Sequence, residues 1–179
     1  MSKPGAAACS KHLVRYRIWA AAVLALSWFA ATATQALEVG DEAPLFALPT
    51  AQGQTISLAQ LRGQVVYVDF WASWCAPCRR SFPWMNEVNR RYGRRGVTIV
   101  AINVDEKRAE ADRFLERYPA TFNVVFDSTG ATPGAYGAKA MPSSYLVDRD
   151  GRIAAVEYGF RETHVPALEA KIRALSDVR

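Results

Sequence analysis

One junction constrains the fold of this chain more than any other stretch. Val65-Val66-Tyr67-Val68-Asp69-Phe70-Trp71 is followed, after Ala72 and Ser73, by Trp74-Cys75-Ala76-Pro77-Cys78. The first run is almost wholly apolar and rich in β-branched and aromatic residues, which suits a central strand buried on both faces. From about Ala76 to Tyr92 the period changes to helical: Phe82, Met85, Val88 and Tyr92 form an apolar stripe. Pro83 lies inside that stripe and predicts a kink. The two body cysteines thus stand where a buried strand becomes a helix. A thiolate at Cys75 would face unpaired backbone N–H groups and the positive end of the helix dipole, which lowers its pKa. Cys78, one turn on, lies within disulfide reach, and Pro77 takes an early position where its missing N–H matters little. The spacing predicts Cys75 as the exposed, acidic thiol and Cys78 as the buried one.

Two such cysteines have other uses. A zinc site needs two further ligands, and after residue 36 the chain offers His164 and no third cysteine, so no metal is expected. A purely structural bridge would close a very small loop and stabilise little. A redox-active Cys75–Cys78 pair, with no cofactor beyond it, is the reading that remains. Asp69 is the only charged residue in its strand. Buried, it would hold its proton at raised pH and could exchange one with the Cys78 thiol; the alternative is a carboxylate that reaches water or pairs with an arginine. Pro142, in Met141-Pro142-Ser143-Ser144, opens a strand in an ordinary way.

Along the rest of the chain, Phe46–Leu48 and Thr55–Ser57 flank a turn and read as a hairpin capped by Leu58 and Leu61. Val97–Ile102 is a second buried strand, Glu106–Tyr118 a helix facing inward through Ala111, Phe114, Leu115 and Tyr118, and Val124–Phe126 a third strand. Residues 129–138 have room for a short helix. Ser144–Val147 and Ile153–Val156 flank the turn Asp148-Arg149-Asp150-Gly151, and a last helix begins near Thr163 with Val165, Leu168, Ile172 and Leu175 on one face. Arg90, Arg91, Arg94 and Arg95 read as a solvated helix end. Alternating strands and helices imply an α/β fold: a mixed central sheet with helices on both faces and an antiparallel hairpin at its edge.

The net charge of +5 points toward nucleic acid until it is located. Lys3, Lys11, Arg15 and Arg17 stand without an acid in residues 1–36, and the remainder holds 18 basic against 17 acidic residues. A nucleic-acid partner is therefore not expected. Residues 1–36 read as a secretory leader: a basic start, the apolar run Ile18–Ala31, then small residues up to Ala36. A helix over residues 18–33 would span roughly 24 Å, short of the roughly 30 Å hydrocarbon core, so cleavage before Leu37 is the leading expectation and an uncleaved anchor the alternative. Either way, residues 37–179 form one domain outside the cytoplasm, in the periplasm of a bacterium. Cys9 precedes the apolar run and is incidental.

Val68-Asp69-Phe70-Trp71-Ala72-Ser73-Trp74-Cys75-Ala76-Pro77-Cys78, with Pro83 and Met141-Pro142, resembles the active-site framework of the thioredoxin superfamily. Gly40-Asp41-Glu42-Ala43-Pro44-Leu45-Phe46 and Leu61-Arg62-Gly63 resemble the opening of redoxins, and the helix and strand at 106–126 resemble the insert of the TlpA/ResA-like branch. The resemblance implies a thioredoxin-like fold and an exported thiol–disulfide oxidoreductase that reduces protein disulfides. It makes Cys75 the attacking thiol and Cys78 the resolving one, and Pro142 a cis residue beside the disulfide. It also implies that Met141 pairs with a partner backbone, that Trp71 and Trp74 flank the site, partly as support and partly as contact surface, and that Trp74, Ala76 and Pro77 contact substrate. A membrane-embedded thiol reductase is the implied electron donor, and cytochrome c maturation a possible setting. Asp69 stands where many of the branch carry Asn, and Ser81 where several reductive members carry Glu. Two other classes compete. A redoxin-type peroxidase needs a Thr where Ala72 stands, and a copper chaperone would use Cys75, Cys78 and His164.

Overall fold

The computed structural model describes residues 37–177. The leader, its cleavage point and the anchor alternative lie outside the described residues.

The chain forms β1 (Ala47–Pro49), β2 (Thr55–Ser57), β3 (Val65–Trp71), α1 (Cys78–Tyr92), β4 (Val97–Asn103), α2 (Arg108–Arg117), β5 (Asn123–Phe126), α3 (Ala131–Ala135), β6 (Ser143–Val147), β7 (Ile153–Tyr158) and α4 (Val165–Asp177). β1 and β2 pair as a separate hairpin, and the main sheet has the order β5-β4-β3-β6-β7. β3, β4 and β5 are parallel; β6 runs antiparallel to β3, and β7 antiparallel to β6. β6 thus lies inside the sheet, and of the β6–β7 hairpin only β7 is an edge; β5 is the opposite edge. This is the mixed α/β architecture that the alternation of periods implies, in the thioredoxin-like arrangement that the resemblance implies.

β3 is the middle strand and all seven of its residues are buried. Its alternation separates two cores. Val65, Tyr67 and Trp71 join Cys75, Cys78, Phe82, Met85 and Ile172 on one face. Val66, Val68 and Phe70 join Phe46, Tyr136 and Tyr145 on the other. Phe82 carries the first core: its ring centroid lies 4.9 Å from Trp71, 5.0 Å from Phe114 and 5.4 Å from Phe122.

α1 begins at Cys78 rather than Ala76, with Pro77 in its cap position, and continues on both sides of Pro83. It passes into a 3-10 turn that ends at Gly96, whose φ of 81° is the left-handed conformation glycine accepts most readily. The arginines at this end are not simply solvated. Arg91 meets Glu169 of α4 at 2.9 Å, and Arg95 pairs with Asp177 of the same helix. Among the described residues no helix is long and apolar enough to cross a membrane.

Candidate active site

Cys75 and Cys78 are joined as a disulfide, with Cα atoms 5.4 Å apart. Cys75 lies in the turn before α1, its N–H donating to Ala72 O at 3.1 Å. The Cys78 N–H, the first of α1, donates to Cys75 Sγ at 3.2 Å. That contact makes the electrostatic argument concrete: a helix-end donor already points at the sulfur that would carry the thiolate charge. The expected contrast in exposure is absent in the disulfide form. Cys75 is 3% exposed and Cys78 0%. Bonding to the buried Cys78 draws the Cys75 sulfur into the core cluster.

Trp71 and Trp74 also differ from a shared flanking role. Trp71 is fully buried against Phe82 and Phe114, so it supports the site and offers no contact surface. Trp74, beside Cys75, is 66% exposed and presents a large apolar surface next to the disulfide. Ala76 is exposed and Pro77 half-buried.

The Met141–Pro142 bond is cis. Phe70 pairs with Ser143 in the β3–β6 register, which puts Pro142 at the end of β3 from which the Cys75 turn departs. Gly159 N–H donates to Pro142 O at 2.7 Å and ties this loop to the end of β7. Pro142 is buried and Met141 half-buried.

Asp69 is completely buried in β3. It alternates with Tyr67 and Trp71, so it lies on the face covered by α1, which also receives Cys78. It neither reaches water nor meets an arginine. Ser144 Oγ, directly across the strand pair, donates to Asp69 Oδ1 at 2.6 Å, and Oδ2 has no hydrogen-bond partner among the described residues. Burial pushes the Asp69 carboxyl up to about 7, against the smaller pull of the Ser144 hydrogen bond. The same desolvation, with Asp69 close by, pushes the Tyr67 hydroxyl well above its ordinary value.

Two residues that sequence reasoning did not single out shape the site. Ser144 is one; its pairing with Asp69 depends on the strand register. Asp105, just past β4, is the other. Its carboxylate accepts from Ser73 N–H at 2.9 and 3.2 Å, from Ser73 Oγ at 3.0 Å and from Asn103 Nδ2 at 2.8 Å. It therefore fixes the turn that delivers Cys75. The only signal in the sequence is a pair of polar residues, Asn103 and Asp105, closing an apolar strand. His164, the distal candidate for copper, instead pairs through Nδ1 with Glu157 Oε2 at 2.9 Å. No group of three or more metal-ligating side chains comes together among the described residues.

With this geometry in view, the comparisons with known proteins are specific. The redoxin family model matches residues 38–172. The thiol-disulfide oxidoreductase ResA of Geobacillus thermodenitrificans is 37% identical over 128 residues, covering 72% of this chain and 74% of its own. The ResA of Bacillus subtilis is 33% identical, covering 70% of each. A crystal structure from Chlorobium tepidum, assigned as the thiol:disulfide interchange protein DsbE, superposes with a TM-score of 0.76 at 48% identity, covering 79% of this chain and 99% of that one. The chain belongs to the redoxin family, on the TlpA/ResA-like branch of thiol–disulfide oxidoreductases within the thioredoxin superfamily.

Proposed function

We propose that this thiol–disulfide oxidoreductase works outside the cytoplasm as a reductant of protein disulfides, with Cys75 attacking and Cys78 resolving. The carrying observation is the Cys78 N–H pointed at the Cys75 sulfur. In the dithiol form the Cys75 thiolate attacks one sulfur of a substrate disulfide, forming a mixed disulfide and releasing a substrate thiolate. The Cys78 thiol then gives its proton to the Asp69 carboxylate, and the resulting thiolate attacks the Cys75 sulfur. The second substrate sulfur leaves as a thiolate. The substrate gains two electrons and the enzyme ends as the Cys75–Cys78 disulfide. Burial lifts the Asp69 carboxyl to about 7, which makes it a stronger base than an ordinary aspartate near neutral pH.

Trp74, Ala76, Pro77 and Met141 form the surface around the pair, and an extended substrate segment would add to the Met141 backbone as a strand. Residues 18–33 support an exported location, and a membrane-embedded thiol reductase would return the electrons. Within protein disulfides, apocytochrome c is a candidate substrate, tested by its reduction rate against an unrelated disulfide of equal exposure.

Alkylation of the reduced protein near neutral pH tests the assignment. Cys75 should label first, and Cys78→Ala should accumulate mixed disulfides through Cys75. Preferential labelling of Cys78 would contradict it.

A further inference from the structure

The surface beside the disulfide carries a concentration of unpaired positive charge that exchange chemistry alone does not require. A concavity of about 440 Å³ is lined by Ser73, Arg79, Glu110, Arg113, Phe114, Arg117 and Tyr118. Its parts come from three places. Ser73 lies two residues before Cys75, Arg79 directly follows Cys78 on α1, and Arg113 and Arg117 stand one turn apart on α2. Phe114 and Tyr118 stack at 4.8 Å and give the concavity an apolar floor. Most other arginines here have a partner: Arg91 has Glu169, Arg95 has Asp177 and Arg108 has Asp112. Arg79, Arg113 and Arg117 form no ion pair among the described residues. Glu110 answers one charge of the three, so the concavity is electropositive in a body that is nearly neutral from residue 37 onward.

We propose that this arginine-lined concavity is a specificity site for an acidic segment of the polypeptide whose disulfide is exchanged at Cys75. The inference rests on the reading above that the chain exchanges disulfides with polypeptides. A polypeptide that brings a sulfur to Cys75 must lay its neighbouring residues over the turn at Ser73. Aspartate or glutamate two to four residues from the reactive cysteine would then meet Arg79, Arg113 and Arg117, whose planar guanidinium groups suit carboxylates. The gain falls mainly on encounter and orientation, because these arginines are exposed. Arg113 and Arg117 lie in the helix between β4 and β5, so that insert carries substrate choice while the Cys75 turn carries the chemistry.

The test uses three disulfide-linked peptides of equal length, with acidic, neutral or basic residues flanking the cysteine. Their reduction rates are measured with the wild-type protein and with R113E/R117E, at low and high chloride. At low salt the wild type should reduce the acidic peptide about tenfold faster than the basic one, and high salt should erase most of that ratio. R113E/R117E should bring the ratio to one or reverse it. Because the readout is a ratio, a general loss of activity does not imitate the effect. If that variant does not fold, as judged by its melting curve, R113Q/R117Q and the wild-type salt dependence decide. Equal rates for acidic and basic peptides in the wild type overturn the proposal, as does an acidic preference unchanged in the variant. Sulfate that abolishes the preference far more strongly than chloride of equal ionic strength assigns the concavity to a free anion and overturns the polypeptide reading. Failure to reduce even the neutral peptide overturns the exchange reading instead, so the two failures are told apart.

Discussion

Two buried acids lie near the Cys75–Cys78 pair and their surroundings are opposite. Asp105 is 5% exposed and accepts four hydrogen bonds, three of them from Ser73. Asp69 is 0% exposed, accepts one hydrogen bond and has a bare second oxygen. A carboxyl group surrounded by donors organises the backbone that supplies them, and Asp105 does this for the turn carrying Cys75. A carboxyl given one donor in an apolar core keeps its proton until near neutral pH, and Asp69 is built that way. Two carboxyl groups of similar burial thus differ in the number of donors that meet them.

The largest effect that could break this contrast is on rate. Asp69→Asn should slow steps that need the Cys78 proton removed by ten- to a thousandfold, about the size of one general-base contribution. Its stability should move the other way. The folded chain holds a proton on Asp69 that the unfolded chain loses from about pH 4 upward, so ionisation destabilises the fold progressively as pH rises toward 7. Asn removes that penalty. The variant should match the wild type near pH 4 and gain stability up to about pH 7, by a few kcal/mol at most, with a constant difference above that. Thermal unfolding over this range, paired with disulfide-reduction rates, checks both signs.

The next effect belongs to Asp105. Asp105→Ala leaves the Ser73 N–H and hydroxyl and the Asn103 amide without their acceptor, which should cost about 2–4 kcal/mol at neutral pH. The melting temperature should fall, and exchange should slow because the Cys75 turn is no longer held. Asp105→Asn should recover part of the stability, since its side-chain oxygen still accepts. A smaller effect is expected from Ser144→Ala. It removes the one hydrogen bond that favours ionised Asp69, so the Asp69 titration should move higher and stability should drop by about 1 kcal/mol. The pH-rate profile should shift upward with it, and a profile that stays in place would separate Ser144 from the proton step. Phe82→Ala probes the aromatic core on the α1 face of the sheet. Loss of a ring buried among Trp71, Phe114 and Phe122 should cost about 3–5 kcal/mol, read in a denaturant titration.

The same contrast shows what the sequence could reveal. Asp69 stood out because a lone charge interrupts an apolar strand, and the Cys75–Cys78 pair because strand, turn and helix follow one another directly. These are local signals. Ser73 and Asp105 are 32 residues apart, and Ser144 and Asp69 are 75 apart, so both pairings depend on strand register that periodicity does not specify. The motif alone does not divide support from contact between Trp71 and Trp74; alternation along β3 turns Trp71 into the α1 core, whereas Trp74 is exposed. The arginines that end α1 read as solvated because their partners, Glu169 and Asp177, come from the far end of the chain.

The proposed proton transfer requires the Asp69 carboxyl to stay protonated in the folded protein until near neutral pH and then to serve as the base for Cys78. Carboxyl ¹³C NMR of the disulfide-bonded protein, with the Asp69 resonance assigned by its absence in Asp69→Asn, tests the first half directly. The account predicts a titration midpoint near 7. A midpoint in the ordinary aspartate range, around 4, would show a carboxylate that is ionised at all working pH values and would remove Asp69 from the proton-transfer step.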